Sequence, residues 1–416
     1  MGNNTVKSRS EIRDVVAQGI QDTKIIDVHT HLFPPSFGEL CLYGIDELLT
    51  YHYLISEAFL WLDIPYESFW KMSKREQADL IWETLFLQNS PVSEAAQGIL
   101  TILDELNVPV SKNLDDVRRA FDQRDVDEYI SRVMHVSNVE EIVMTNDPFD
   151  PAERQYWEKG EMGDDRFRSA LRLDPLVNDW DHTVALVREM GYEVDERVDR
   201  RTVKSLQQFL KDWIEKIHPL YVALSLPHTF TFPERGSSTR ILEECLIPIC
   251  EQYELPMALM VGTKRQVNPD LKLAGDMAGR ADMAALENLC RQYPHQKFLV
   301  TMLSRENQYE LITLSRKFRN LMIFGCWWFL NTPYLVEEIT RMRFQLLGNR
   351  FIPQHSDCRV FEQLIYKWKH TKHILENLLM EHYEQLLKKG WPVEVSDIRN
   401  DIEKLLRGNV LHFINS

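Results

Sequence analysis

The chain has 416 residues, 44% of them apolar, enough for one large α/β barrel or for two to three ordinary domains with sizeable cores. Its 63 acidic against 48 basic residues give a formal charge of -15, which weighs against nucleic-acid and membrane partners and leaves any anionic small substrate to be drawn in by local arginines. The opening MGNNTVKSRSEIRD has no apolar signal core, LMIFGCWWFL (321–330) falls far short of the ~18 residues that span a bilayer, and six scattered cysteines without a Cys-x-x-Cys pair suit a reducing compartment, so a cytoplasmic protein is expected.

Taken in chain order, apolar runs of strand length recur between longer stretches of helical period, the pattern of βα units around a parallel sheet. The runs are KIIDVHTH (24–31), EEIVMTND (140–147), FRSALRLD (167–174), LYVALSLP (220–227), LPMALMVG (255–262), KFLVTMLS (297–304), NLMIFGCWW (320–328) and NRFIPQHSD (349–357). Eight such strands predict a (β/α)8 TIM barrel, with both faces of the sheet covered. The long gap after the first run contains GIDELLTYHYLISEAFLWL and SKREQADLIWETLFLQ, whose apolar residues return every three to four positions. It reads as a large helical insertion after strand 1, about 35–135, placed where it would wall the active-site face. A charged helical connection follows at 175–218, and terminal helices are expected over about 360–416. One elaborated domain, 1–416, is the expectation; a separate helical domain over about 35–135 is the alternative.

The chemistry begins in IIDVHTHLF (25–33). Side chains alternate along a strand, so His29 and His31 project to one face and can share a metal ion. At the eighth run, PQHSDCR would alternate His355, Asp357 and Arg359 on one face. In a closed barrel strand 8 neighbours strand 1, so Asp357 would complete a His2Asp set with open positions for one divalent ion, zinc or similar.

DVHTHLF together with an aspartate after the eighth run resembles the amidohydrolase superfamily. LLTYHYL (48–54), ALRLDPL (170–176), TMLSRENQ (301–308), GCWWFLN (325–331) and FIPQHSDCR (351–359), in that order, resemble the uronate isomerases, over about residues 20 to 410. The resemblance implies a barrel of the metal-dependent hydrolase type and an aldose-ketose isomerase. The implied reactions take the hexuronates D-glucuronate to D-fructuronate and D-galacturonate to D-tagaturonate through a cis-enediol. It places His52 and Tyr53 at proton transfer, an imidazole of suitable pKa beside a phenolic donor. The strand ends SLPHT, VGTKR and TMLSREN lack the lysine or glutamate and the histidines of two-metal hydrolases, which limits the site to one ion and argues against metal-hydroxide hydrolysis. His228 is left with a local hydrogen-bonding role.

Arg172 and Arg359 are candidates to hold the substrate carboxylate, with an ion pair to Asp174 as the competing role for Arg172. Asp357 could also take the anomeric proton during ring opening. Trp327 and Trp328 alternate, so one indole is expected at the barrel mouth as a pocket wall. Arg305, Glu306 and Asn307 are supporting positions at the same face. The resemblance further implies an arginine near the C-terminus; none follows Arg407, so either Arg172 and Arg359 suffice or the natural chain is longer. A hydrolase of the same superfamily and a non-catalytic sugar-acid binder are the competing readings, and a homo-oligomer is left open.

Overall fold

The computed structural model describes residues 5–121, 125–160 and 163–415. Its strands are β1 (Ile25–Thr30), β2 (Val139–Asn146), β3 (Phe167–Arg172), β4 (Val222–Pro227), β5 (Met257–Lys264), β6 (Met277–Ala278), β7 (Phe298–Met302) and β8 (Leu321–Ile323). Seven of them form one curled parallel sheet in the order β1-β2-β3-β4-β5-β7-β8, and the two-residue β6 adds antiparallel to β5. The first seven apolar runs are the seven parallel strands.

The runs read as continuously apolar because both faces of the sheet are buried. Ile26 and Val28 of β1, Ala223 of β4 and Met260 of β5 belong to an inner cluster, while Ile25, Val222, Leu224 and Leu259 belong to a larger cluster under the helices. Val410 and Phe413, from the short helix Asn409–Asn415, complete the inner cluster together with Met322 and Leu299.

The eighth run is not a strand. Only Ile352 pairs, bridging to Phe324, with the Ile352 amide donating to Ile323 O and the Gly325 amide to Ile352 O at 2.9 Å each. Beyond Pro353 the backbone groups are taken by side chains instead. The Ser356 amide donates to Asp27 Oδ1 at 3.0 Å, Ser356 O accepts from Lys367 Nζ at 2.8 Å, and Asn331 Nδ2 donates to the carbonyls of His355 and Ser356. Asp357 sits at φ 53°, in the left-handed region, which ends any ladder. The segment returns to β1 through Asp357 N to His29 O at 3.1 Å and His31 N to Cys358 O at 2.7 Å.

Between β1 and β2 the chain is helical, including His52–Ala58, Lys74–Trp82, Glu94–Glu105, Leu114–Phe121 and Val126–Ser137; residues 122–124 of this expected helical stretch lie outside the described ones. Lys74–Trp82 begins at a capping box between Ser73 and Glu76. The 26-residue helix Gln363–Lys388 packs against Glu94–Glu105 and Val126–Ser137, and its buried Trp368 donates from Nε1 to Asp27 Oδ2 at 2.8 Å. Among the described residues no helix is long and apolar enough to cross a membrane.

Asp27 therefore ties β1, the eighth segment and the long helix together from a fully buried position. Asp27→Ala leaves the Ser356 amide and the Trp368 indole N–H buried without acceptors, each costing roughly 1–3 kcal/mol. We expect a loss of about 3 kcal/mol in stability, read as a lower urea midpoint at unchanged slope.

Candidate active site

His29, His31 and Asp357 converge at the C-terminal end of β1, with all donor atoms within 4.8 Å of one another. His29 Nε2 and His31 Nε2 lie 3.6 and 3.4 Å from the same oxygen, Asp357 Oδ1. These are not salt bridges. Burial pushes the His29 imidazole down to about 3 and His31 well below the ordinary histidine range, so both rings are neutral at physiological pH.

Hydrogen bonds on the far side of each ring fix where the single proton sits. Tyr221 Oη donates to Val28 O at 2.7 Å, so at the 3.2 Å contact with His29 Nδ1 it accepts, and Nδ1 carries the hydrogen. Thr145 Oγ1 likewise donates to Thr30 O, so His31 Nδ1 donates to it at 3.2 Å. Both Nε2 lone pairs are thereby turned toward a carboxylate oxygen with no proton between them. His29 Nε2 and Asp357 Oδ1 are buried without a hydrogen-bond partner among the described residues. Two lone pairs against an anion is the donor set of a cation site, and neutral imidazoles braced through Nδ1 are its usual ligands. The residues therefore fit a divalent ion.

The left-handed turn at Asp357 and its amide bond to His29 O deliver the carboxylate. It also undoes the expected alternation of the eighth run: His355 does not join the pocket but lies under His29, ring centroids 5.1 Å apart, packed on Phe324 at 5.1 Å. Gly325 admits it, since a Cβ there would fall 1.9 Å from His355 Cδ2. Tyr221 and Thr145 were not singled out in the sequence. Removing the Tyr221 acceptor by Tyr221→Phe should weaken divalent-ion affinity by about 10- to 100-fold, measured by competition with a chelating dye.

A pocket opens above this centre. His29, His31, Thr145, Arg172, Arg265, Asp357, Arg359, Tyr51, His52, Trp327 and Trp328 are among its lining residues. Three guanidiniums meet at this one site in a chain of net charge -15. Arg172 donates from Nε and Nη2 to Asp174 Oδ2 at 2.7 and 2.5 Å, while Asp174 Oδ1 accepts from the Ser225 amide at 2.8 Å. The ion pair weighed against Arg172 is thus present, and it holds the guanidinium at the pocket wall. Arg265 pairs with Asp276 and reaches over the Trp328 ring at 5.6 Å. Arg359 has no carboxylate within ion-pair distance among the described residues, and the Tyr51 hydroxyl is its hydrogen-bond neighbour. Arg265 follows β5 in VGTKR; its signal was a cation at the C-terminal end of a barrel-type strand.

His52 opens the helix His52–Ala58, and burial holds its ring neutral. Tyr51 lines the pocket; Tyr53 does not, and its ring sits edge-on to that of Tyr51 with centroids 5.0 Å apart. The Tyr53 ring lies 4.4 Å from that of His52, with its hydroxyl buried and without a partner among the described residues. Trp327 and Trp328 do not alternate. Trp328 sits at φ 49°, which turns both indoles to the pocket. His228 bonds Thr263 O, Arg305 pairs with Glu338, Glu306 with Ser304, and Asn307 with Ala281; none of these lines the pocket.

Fold and site together define an α/β protein with a candidate metal centre and an arginine-lined pocket at the C-terminal ends of a curled parallel sheet. No protein-family model matches the sequence, and no curated protein does. Among solved structures, a uronate isomerase from Bacillus halodurans is 48% identical, with TM-score 0.97 over 99% of this chain and 98% of that one. The chain belongs to the uronate isomerase family and is an isomerase. A uronate isomerase from Thermotoga maritima (14% identity, TM-score 0.77, 100% and 99% of the chains) and a glucuronate isomerase from Caulobacter crescentus (13%, 0.75, 99% and 96%) share the fold.

Proposed function

We propose that this pocket interconverts aldo- and keto-hexuronates, D-glucuronate with D-fructuronate and D-galacturonate with D-tagaturonate, in the cytoplasm. The observation that carries the reading is the meeting of a cation-type donor set with three arginines in one pocket. On this reading the segment 351–358 closes the sheet into a (β/α)8 barrel of one elaborated domain, and the helices after β1 form an insertion that walls its mouth.

One divalent ion, zinc, held by His29, His31 and Asp357, would supply positive charge that orients the sugar oxygens. Arg359, with Arg172 held ready by Asp174, takes the substrate carboxylate in bidentate fashion. The Asp357 carboxylate is placed to accept the anomeric hydroxyl proton as the C1–O5 bond opens and O5 takes up a proton. The C2 proton then leaves while the C1 carbonyl oxygen gains one, giving the cis-enediol. A proton added at C1, with loss of the C2 hydroxyl proton, completes the ketose. His52 serves this exchange at the pocket wall with Tyr53 packed behind its ring, and the indoles of Trp327 and Trp328 wall the sugar.

The test is incubation with each uronate in heavy water, with and without added zinc, followed by proton NMR. Ketose carrying solvent deuterium is the expected product. No ketose from either uronate would return a hydrolase of the superfamily, or a binder without turnover, to the front.

A further inference from the structure

We propose that Trp328 is a positioning residue that fixes the tautomer of His52, so that His52 meets the sugar as an N–H donor through Nδ1 and not as a base through Nε2. This rests on the reading of the pocket as the site of uronate isomerisation.

Trp328 Nε1 lies 2.9 Å from His52 Nε2, and both residues are buried. An indole nitrogen only donates, so Nε2 is the acceptor and its lone pair is occupied. A neutral imidazole has one hydrogen, which must then reside on Nδ1. Nδ1 is buried and has no partner among the described residues. The ring lines the pocket with that N–H unspent, alongside Arg359, Asp357 and the paired histidines.

The contact is held against a backbone preference. Trp328 has φ 49°, a region that costs a bulky residue of order 1–3 kcal/mol and persists only where the surroundings over-determine it. Here they do. Its indole stacks on Phe329, centroids 4.7 Å apart and planes 12° apart, and meets His52 edge-on at 5.5 Å; Arg265 lies 5.6 Å from its centroid. The strain is spent on bringing the indole N–H to one nitrogen of one histidine. In the reaction, a donor at Nδ1 stabilises negative charge on a sugar oxygen as the enediol forms, and the C2 proton goes to another group.

Full-length protein labelled with ¹⁵N in histidine and tryptophan reads this directly. We expect His52 Nδ1 to show the signature of a protonated ring nitrogen, Nε2 that of a hydrogen-bonded lone pair, and a coupling across the bond from the Trp328 indole. Trp328→Phe should give mixed His52 tautomers and lower kcat about 10- to 100-fold, with KM changed less than about 3-fold. His52→Asn, which keeps an N–H near the Nδ1 position, should retain more turnover than His52→Gln, which places its amide near Nε2. Hydrogen on Nε2 of His52 in the unsubstituted protein overturns the proposal, as does an unchanged tautomer in Trp328→Phe. The spectra need no substrate, so failure to form ketose would count against the isomerase reading alone.

Discussion

Asp357→Asn is expected to abolish uronate turnover and to weaken divalent-ion affinity by more than about 100-fold while leaving the ion-free protein slightly more stable. The opposite signs follow from the geometry. In the ion-free protein, two neutral imidazoles aim their lone pairs at one carboxylate oxygen, 3.6 and 3.4 Å away, with no hydrogen to share. An asparagine amide can donate to one of those lone pairs, worth about 1 kcal/mol. The same amide brings no charge to a cation and loses the anionic ligand of the set. Titration by calorimetry against zinc, together with urea unfolding in chelator, separates the two effects. Tight zinc binding by Asp357→Asn would remove Asp357 from the ligand set; a less stable ion-free variant would mean that the Nδ1 hydrogens were misplaced and that His–Asp pairing already satisfies the site.

The second large effect is expected at Arg359. Arg172 and Arg265 each have a carboxylate, Asp174 and Asp276, whereas Arg359 has none within ion-pair distance among the described residues. Its guanidinium is the one whose charge the substrate would neutralise. Loss of a hydrogen-bonded charge pair costs roughly 2–5 kcal/mol, so Arg359→Met should lower kcat/KM for D-glucuronate by about 100-fold or more. The diagnostic is discrimination. A neutral aldose of the same stereochemistry lacks the carboxylate, so its binding should hardly change. The ratio of uronate to aldose affinity should therefore fall in Arg359→Met. If Arg172→Met shows the larger fall in that ratio, the carboxylate belongs to Arg172, with Asp174 only tuning it.

What the sequence made legible follows from which interactions are local. Seven apolar runs became seven parallel strands because burial on both faces writes itself as continuous hydrophobicity, and His29 of β1 and His31 just beyond it meet at one centre. Alternation failed wherever φ turns positive. At Asp357 and Trp328 the chain leaves the extended region, so the eighth run lost its ladder, His355 dropped beneath the centre and both indoles reached the pocket. Nothing in PQHSDCR or GCWWF states those angles: Asp27, Asn331 and Lys367 hold the residue before Asp357, and His52 and Arg265 meet Trp328, all from elsewhere in the chain. The residues that orient the histidines were equally hidden. Tyr221 sits at the start of β4, far along the chain from His29, and looks like an ordinary strand aromatic until the fold sets its hydroxyl against the ring.

The side-chain pinning of residues 353–357 has a consequence for the order of assembly. A strand held by a ladder can form once its neighbour exists. Asp357 instead waits for Lys367 and Trp368, which hold Ser356 and Asp27 from the long C-terminal helix. A chain emerging from synthesis would carry both histidines on a finished β1 for most of its length and still have no cation centre. The helix Gln363–Lys388 completes it, so capacity to take up the ion reports that the chain has docked as far as that helix.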